Sequence, residues 1–320
     1  MRERAYEIDI LKGIGILLVI LGHCVPDFPV DLRADALSAN MEKFIYTFHM
    51  PLFFFCSGFV LGIAPPRSIS TVLKNRFIRM LVPYLTFSFA SLALRVAFSS
   101  FTRSDFSISE GLVGIFLYGK FFWFVYVLFM VLVLMAFFRE SKIGLIALVI
   151  GGIYLYSQNI ELLKLSQMGY FLLFVVIGFL LSPYRSKLMI IMHNIWIPVC
   201  LSILLILMFF ITPPNCFIIK YLHRISMAWA GIFALYGIVL YPIRNQIIND
   251  LINHFGNYSL QYYLIHMIIS LPCYYIIAVL HVPASIFAVL LNFIIITIVS
   301  FLILKIMLKI RWIHPFVGLK

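Results

Sequence analysis

The sequence predicts an all-α, polytopic membrane protein, a helical bundle of about ten transmembrane helices with both termini cytoplasmic. Three observations carry that expectation. Hydrophobic residues make up 63% of the 320 positions and charged residues 11%, with a mean hydropathy of +1.07; a soluble domain has roughly 45–50% and about 25%. The apolar residues run continuously over the ~20 positions a helix needs to cross a bilayer core, whereas a β-barrel would alternate over about ten. Lysine and arginine also favour alternate connections. A soluble enzyme, a disordered chain, a coiled coil and a disulfide scaffold are thereby excluded.

Spans are expected near 8–25, 44–63, 80–99, 112–138, 143–158, 167–182, 191–212, 225–241, 258–280 and 284–304. The first begins with acidic residues and lacks a small-x-small cleavage site, so it reads as a retained helix and not a signal peptide. In the second, Pro51 falls in the first turn, where its missing N–H is tolerated. The fourth is long enough to be tilted, or to begin as an interfacial piece around Tyr118 to Phe122. The fifth and sixth are short. Connections are brief and no Gly/Ser/Pro-rich linker intervenes, so residues 1–320 are expected to form one membrane domain with no appended extracytoplasmic domain. Cys24, Cys56, Cys200, Cys216 and Cys273 show no CxxC or metal spacing and read as small hydrophobes.

The net charge of +12 would suggest nucleic acid on a soluble domain. On a membrane protein it marks the loops that stay in the cytoplasm, and no nucleic-acid partner is implied. With the N-terminus inside, 16 of the 24 basic residues fall in inside segments, Arg2, Arg4, Arg67, Arg244 and Lys320 among them. The first outer loop holds Asp27, Asp31, Asp35 and Glu42.

An ionisable group inside a bilayer costs about 2.5–3.5 kcal/mol on insertion scales, which makes each a functional candidate. In "DILKGIGILLVILGHC", Lys12 and His23 are eleven residues apart, three turns plus roughly 20°, with an axial separation of ~16 Å. One helix face thus carries a cation near one end and an imidazole near the other. Gly13, Gly15 and Gly22 permit a close neighbour. Alone, Lys12 reads as a snorkelling, topology-setting lysine and His23 as an interfacial histidine. In "YTFHMPLFFFCSGF", His49 falls in the layer of His23 because the two spans run antiparallel across one loop; the plain alternative is a capping histidine. In "KNRFIRMLVPY", Arg76 and Arg79 are three apart and suited to forked hydrogen bonds with phosphate, or are an ordinary positive-inside run. In "FGNYSLQYYLIHM", Ser259, Tyr263 and His266 form a polar stripe near mid-membrane, or His266 is a hydrogen-bonded structural histidine. Trp123 in "KFFWFVYVLF" reads as an interfacial aromatic anchor.

Taken together, Lys12-x10-His23, "FHMPLFFFCSGF", Arg76-x-x-Arg79 with Pro83 and Tyr84, "FWFVYVLF" and "NYSLQYYLIH" resemble the acyltransferase 3 family of bacterial integral membrane acyltransferases, over nearly the whole chain. The resemblance implies a ten-helix bundle in the bacterial cell membrane. It would move an acyl group, usually acetyl, from cytoplasmic acyl-CoA to a hydroxyl of a cell-surface polysaccharide or lipid-linked glycan precursor. Lys12 stands where arginine is commoner. Larger relatives append a hydrolase-like domain; here the membrane domain would complete the transfer itself.

A thioester needs only a base on the attacking hydroxyl and help for the oxyanion, and a neutral histidine suits the first role. His23 is expected to be that base, with His49 orienting it or the acceptor. Arg76 and Arg79 would hold the phosphates or adenosine end of CoA, and the pantetheine arm would thread along the Lys12 face. Trp123, Tyr263 and His266 would line the substrate path. No tightly bound cofactor is expected, acetyl-CoA or another acyl-CoA being a substrate. A ping-pong variant would put the acetyl on His23; Cys24 diverges from it by ~100° and is a poor nucleophile candidate. The rival reading is a glycolipid transporter with a histidine proton relay, although such carriers usually bury Asp or Glu.

Overall fold

In a bilayer every backbone N–H and C=O must be satisfied within the protein, which favours helices. The computed structural model describes residues 5–65, 68–98, 107–241 and 245–319, and all regular structure among them is helical. Arg2, Arg4, Arg67, Arg244 and Lys320 lie outside the described residues. The α-helices are α1 (Tyr6–His23), α2 (Ala36–Tyr46), α3 (His49–Ile63), α4 (Ile69–Arg76), α5 (Val82–Ala97), α6 (Ile108–Tyr118), α7 (Trp123–Phe138) and α8 (Lys142–Ser157). They continue as α9 (Leu165–Leu181), α10 (Arg185–Met192), α11 (Trp196–Phe209), α12 (Phe217–Val239), α13 (Gln246–Asn257), α14 (Ser259–Val279) and α15 (Ile286–Met307).

Among the described residues, seven helical stretches are long and apolar enough to cross a membrane: Ala36–Ile63, Ile69–Ala97, Ile108–Phe138, Leu162–Met192, Phe217–Val239, Ser259–Val279 and Ile286–Met307. α8 and α11 are apolar but shorter, and α1 carries Glu7, Asp9 and Lys12. Large apolar side chains stay exposed, such as Ile143 at 81% and Phe210 at 75%, as lipid-facing surfaces require. The chain is a multi-pass membrane protein. The second span begins earlier than its hydropathy suggests because Asp35 caps α2, accepting from Ser38 N at 2.9 Å and Ser38 Oγ at 2.6 Å. Those two bonds hold the Asp35 carboxyl below the usual carboxylate range. α13 is a short, partly polar helix between the eighth and ninth expected spans, capped by Asn245, which accepts from Ile247 N and Ile248 N.

The chain divides into two compact units, Met1–Ile63 with Ile177–Leu302 and Ala64–Val176 with Ile303–Lys320. In the first unit, α1 packs on α13, α3, α14 and α2. Its contact with α13 is backbone on backbone. A Cβ at Gly256 would lie 1.8 Å from the Asp9 carbonyl oxygen, and one at Gly13 2.1 Å from that of Ile252. Gly256→Ala is therefore expected to push the helices apart and destabilise the protein by about 1–3 kcal/mol. Thermal unfolding followed by gel filtration in detergent would read this, and a wild-type melting temperature would contradict so close an approach.

In the second unit, the long fourth span, expected to tilt or to begin as an interfacial piece around Tyr118 to Phe122, is instead interrupted there. α6 ends at Gly119, which is left-handed with φ +56°, and α7 starts at Trp123 after a short turn. The last-turn carbonyls this leaves without helical partners are recovered by side chains. Tyr84 Oη donates to the Ile115 carbonyl at 2.5 Å, and Tyr126 Oη to that of Phe116 at 3.0 Å. Between α4 and α5 the helix widens into a π-turn over Phe77–Leu81.

Candidate active site

His23 is the last residue of α1, His49 the first of α3, and His266 lies in the second turn of α14. The first unit gathers them around Tyr46, a residue not singled out from the sequence. The Tyr46 ring stands edge-on to His49 at 4.7 Å between centroids and to His23 at 6.2 Å. His266 lies 5.3 Å from His23, and Tyr263 is 5.6 Å from His266. His49 Nδ1 reaches the Ile45 carbonyl at 2.8 Å and His266 Nδ1 that of Tyr262 at 2.9 Å. A carbonyl only accepts, so each Nδ1 must carry the proton and each Nε2 is left with the basic lone pair. His266 Nε2 is buried and has no hydrogen-bond partner among the described residues.

The three differ in access. His49 and His266 are buried, at 1% and 0% exposure, while His23 is only partly buried. Tyr274 Oη donates to the His23 carbonyl, satisfying one orphan acceptor at the end of α1. Beside this cluster Arg33 grips Glu42 in a fork, Nε to Oε2 at 2.8 Å and Nη2 to Oε1 at 2.7 Å. These bonds push the Arg33 guanidinium above even its usual high value, and both charges act on His23. Cys24 points elsewhere, its Sγ donating to the Ile20 carbonyl at 3.0 Å inside an apolar cluster with Ile277 and Val289.

Toward the other end of α1, Lys12 does not stand alone on its face. It pairs with Asp9 at 2.7 Å. Glu7, also buried, receives a fork from Arg185, Nε to Oε1 at 2.7 Å and Nη2 to Oε2 at 2.8 Å. Nothing in the residue pattern signals this pairing, since the partners are 178 positions apart.

The remaining candidates belong to the second unit. Arg76 is the last residue of α4 and Arg79 lies inside the π-turn, exposed. The helix expected through this pair thus passes from α to π between Arg76 and Arg79. Trp123 has a stacking partner. It stacks on Phe171 with centroids 5.7 Å apart and forms one wall of a cleft of about 430 Å³, together with Glu110, Tyr118, Lys120, Phe121 and Gln167.

A family model described as an acyltransferase domain matches residues 5–305. The chain belongs to the acyltransferase 3 family. It is similar to the nodulation protein NolL of Sinorhizobium fredii, 32% identical over 117 residues that cover 35% of the chain and 32% of that protein. It is also similar to the nodulation protein NolL of Mesorhizobium japonicum, 28% identical over 151 residues, or 45% and 39% of the two chains. The matched stretches thus span well under half of either relative. No solved structure matches this acyltransferase 3 chain.

Proposed function

We propose that the protein is a membrane O-acyltransferase of the bacterial cell membrane. It moves an acyl group, acetyl in the first instance, from cytoplasmic acyl-CoA to a hydroxyl of a cell-surface polysaccharide or lipid-linked glycan precursor. The observation that carries the reading is the histidine cluster, in which His23, a half-buried residue at the end of α1, stands with two fully buried histidines whose Nδ1 protons are fixed. His23 takes the proton of the acceptor hydroxyl as its oxygen attacks the thioester carbon. A C–O bond forms, the C–S bond breaks, and His23 returns the proton to the departing CoA thiolate. His49 and His266 keep the base and acceptor oriented, with Tyr46 and Tyr263 packing their rings. Lys12 lies along the donor path, and Arg76 and Arg79 bind the CoA phosphates. Ten spans, inside termini and a single membrane domain belong to the same reading.

The test is thioester turnover. Detergent-solubilised protein given acetyl-CoA and cell-surface glycan is expected to release CoA thiol and add an acetyl mass increment to the glycan. Glycolipid flux across proteoliposomes without thiol release would instead make the protein a carrier. For the donor side, Arg79→Lys keeps the charge but loses the planar fork, and is expected to raise the KM for acyl-CoA by roughly tenfold at unchanged membrane insertion. An unchanged KM would leave Arg79 as a topology determinant.

A further inference from the structure

The cleft in the second unit has no part in the chemistry above, yet its walls are built for a ligand. Its volume of about 430 Å³ falls within the range of small-molecule sites, roughly 300–1,000 Å³. Three aromatic rings, Tyr118, Phe121 and Trp123, alternate with Glu110, Lys120 and Gln167. Both segments that frame it are held in left-handed backbone: Gly119 at φ +56° and Phe121 at +74° on one side, Leu163 at +51° and Lys164 at +53° on the other. Such a conformation is an outlier for a residue as bulky as phenylalanine and persists only where its surroundings enforce it. Here Arg95 sits 5.1 Å over the Phe121 ring, and Lys120 N bonds back to the Gly114 carbonyl at 2.9 Å. The Gln167 Oε1 atom is buried without a hydrogen-bond partner among the described residues, an arrangement that costs stability unless a donor arrives.

From these features we infer that the cleft is a binding subsite for a sugar ring of the acceptor glycan. A sugar presents C–H faces to aromatic rings and hydroxyls at its edge, and this wall offers rings beside a carboxylate, an ammonium and a carboxamide. A bare acyl chain would leave those polar groups unmatched. A nucleotide would call for a surplus of cations, whereas Lys164 is paired with Glu161 at 2.8 Å and Glu110 faces the same space. In the topology expected from the basic residues, the connection before α6 is an outer one, on the side where surface glycans are found. The inference rests on the acyltransferase reading for the word acceptor, not for the binding itself.

Binding is therefore measured apart from turnover. The full chain in detergent is applied to an array of labelled neutral, N-acetylated and acidic hexose oligomers, and the best binder is titrated against wild type, Trp123→Leu and Gln167→Leu. Each variant is expected to weaken glycan binding at least tenfold while CoA binding stays within twofold. Gln167→Leu should melt no lower than wild type, since it removes an unpartnered buried acceptor, so it decides the matter if Trp123→Leu fails to fold. The inference is overturned if no oligomer binds the wild type, if Gln167→Leu keeps full affinity, or if CoA displaces the glycan. Glycan binding with no thiol release would uphold the cleft and sink the acyltransferase reading; thiol release with unaltered glycan binding in the variants would do the reverse.

Discussion

His23→Gln protein is expected to lose about 10²–10⁴-fold of its turnover, the usual contribution of a positioned general base, while still binding acyl-CoA. Glutamine keeps hydrogen bonding at the end of α1 but accepts no proton. The residue is chosen on access: His49 and His266 are buried at 1% and 0% exposure, and His23 alone of the three is partly open. Its carbonyl already takes the Tyr274 hydroxyl, so the end of α1 stays anchored when the ring is replaced. Initial rates of CoA thiol release, on equally expressed and monodisperse protein, make the comparison. A His23→Gln enzyme near wild-type rate would return His23 to a structural role and move the base to His49 or His266.

Arg185→Leu should be the most damaging change outside the histidine cluster. It would leave the Glu7 carboxylate, 8% exposed in its side chain, without its forked partner. Breaking a buried pair on one side costs about 3–5 kcal/mol, somewhat less here because the Arg185 side chain keeps 21% exposure. Glu7→Gln combined with Arg185→Leu removes the stranded charge and should recover most of that loss, because the net worth of such a pair over neutral groups is small. Melting temperatures of the two single variants and the double close the cycle. Additive destabilisation in the double variant would mean that the two side chains are not coupled.

Much of this architecture could be read from the chain. Hydropathy located the long apolar helices, and the length of the fourth span marked Tyr118 to Phe122 as irregular without showing that the helix breaks there. The histidines stood out because imidazole is costly in an apolar layer. What hydropathy could not show is partnership. It scores the burial of Glu7 and Asp9 as a penalty on α1 and is blind to Arg185 and Lys12, which remove that penalty. It passes over α13, whose polar residues dilute the average although Gly256 makes its closest backbone contact. The π-turn at Phe77–Leu81, with Arg79 inside it, left no trace in spacing. Tyr46 and Tyr274 were hidden by abundance, two among seventeen tyrosines.

The Glu7–Arg185 fork also bears on how the protein is made. At a synthesis rate of about 5–20 residues per second, Arg185 leaves the ribosome roughly 9–36 s after Glu7, since 178 positions separate them. Over that interval α1 holds, at the start of its apolar run, a carboxylate without its final counterion, and burying an unpaired charge is costly. α1 is thus poorly equipped to settle in place alone. It is expected to wait at the translocon or in the headgroup layer until α10 arrives, which makes its membrane entry a late, post-insertional event. A chain truncated before Arg185 should accordingly leave α1 accessible to aqueous thiol reagents at an engineered cysteine, and the full-length chain should not.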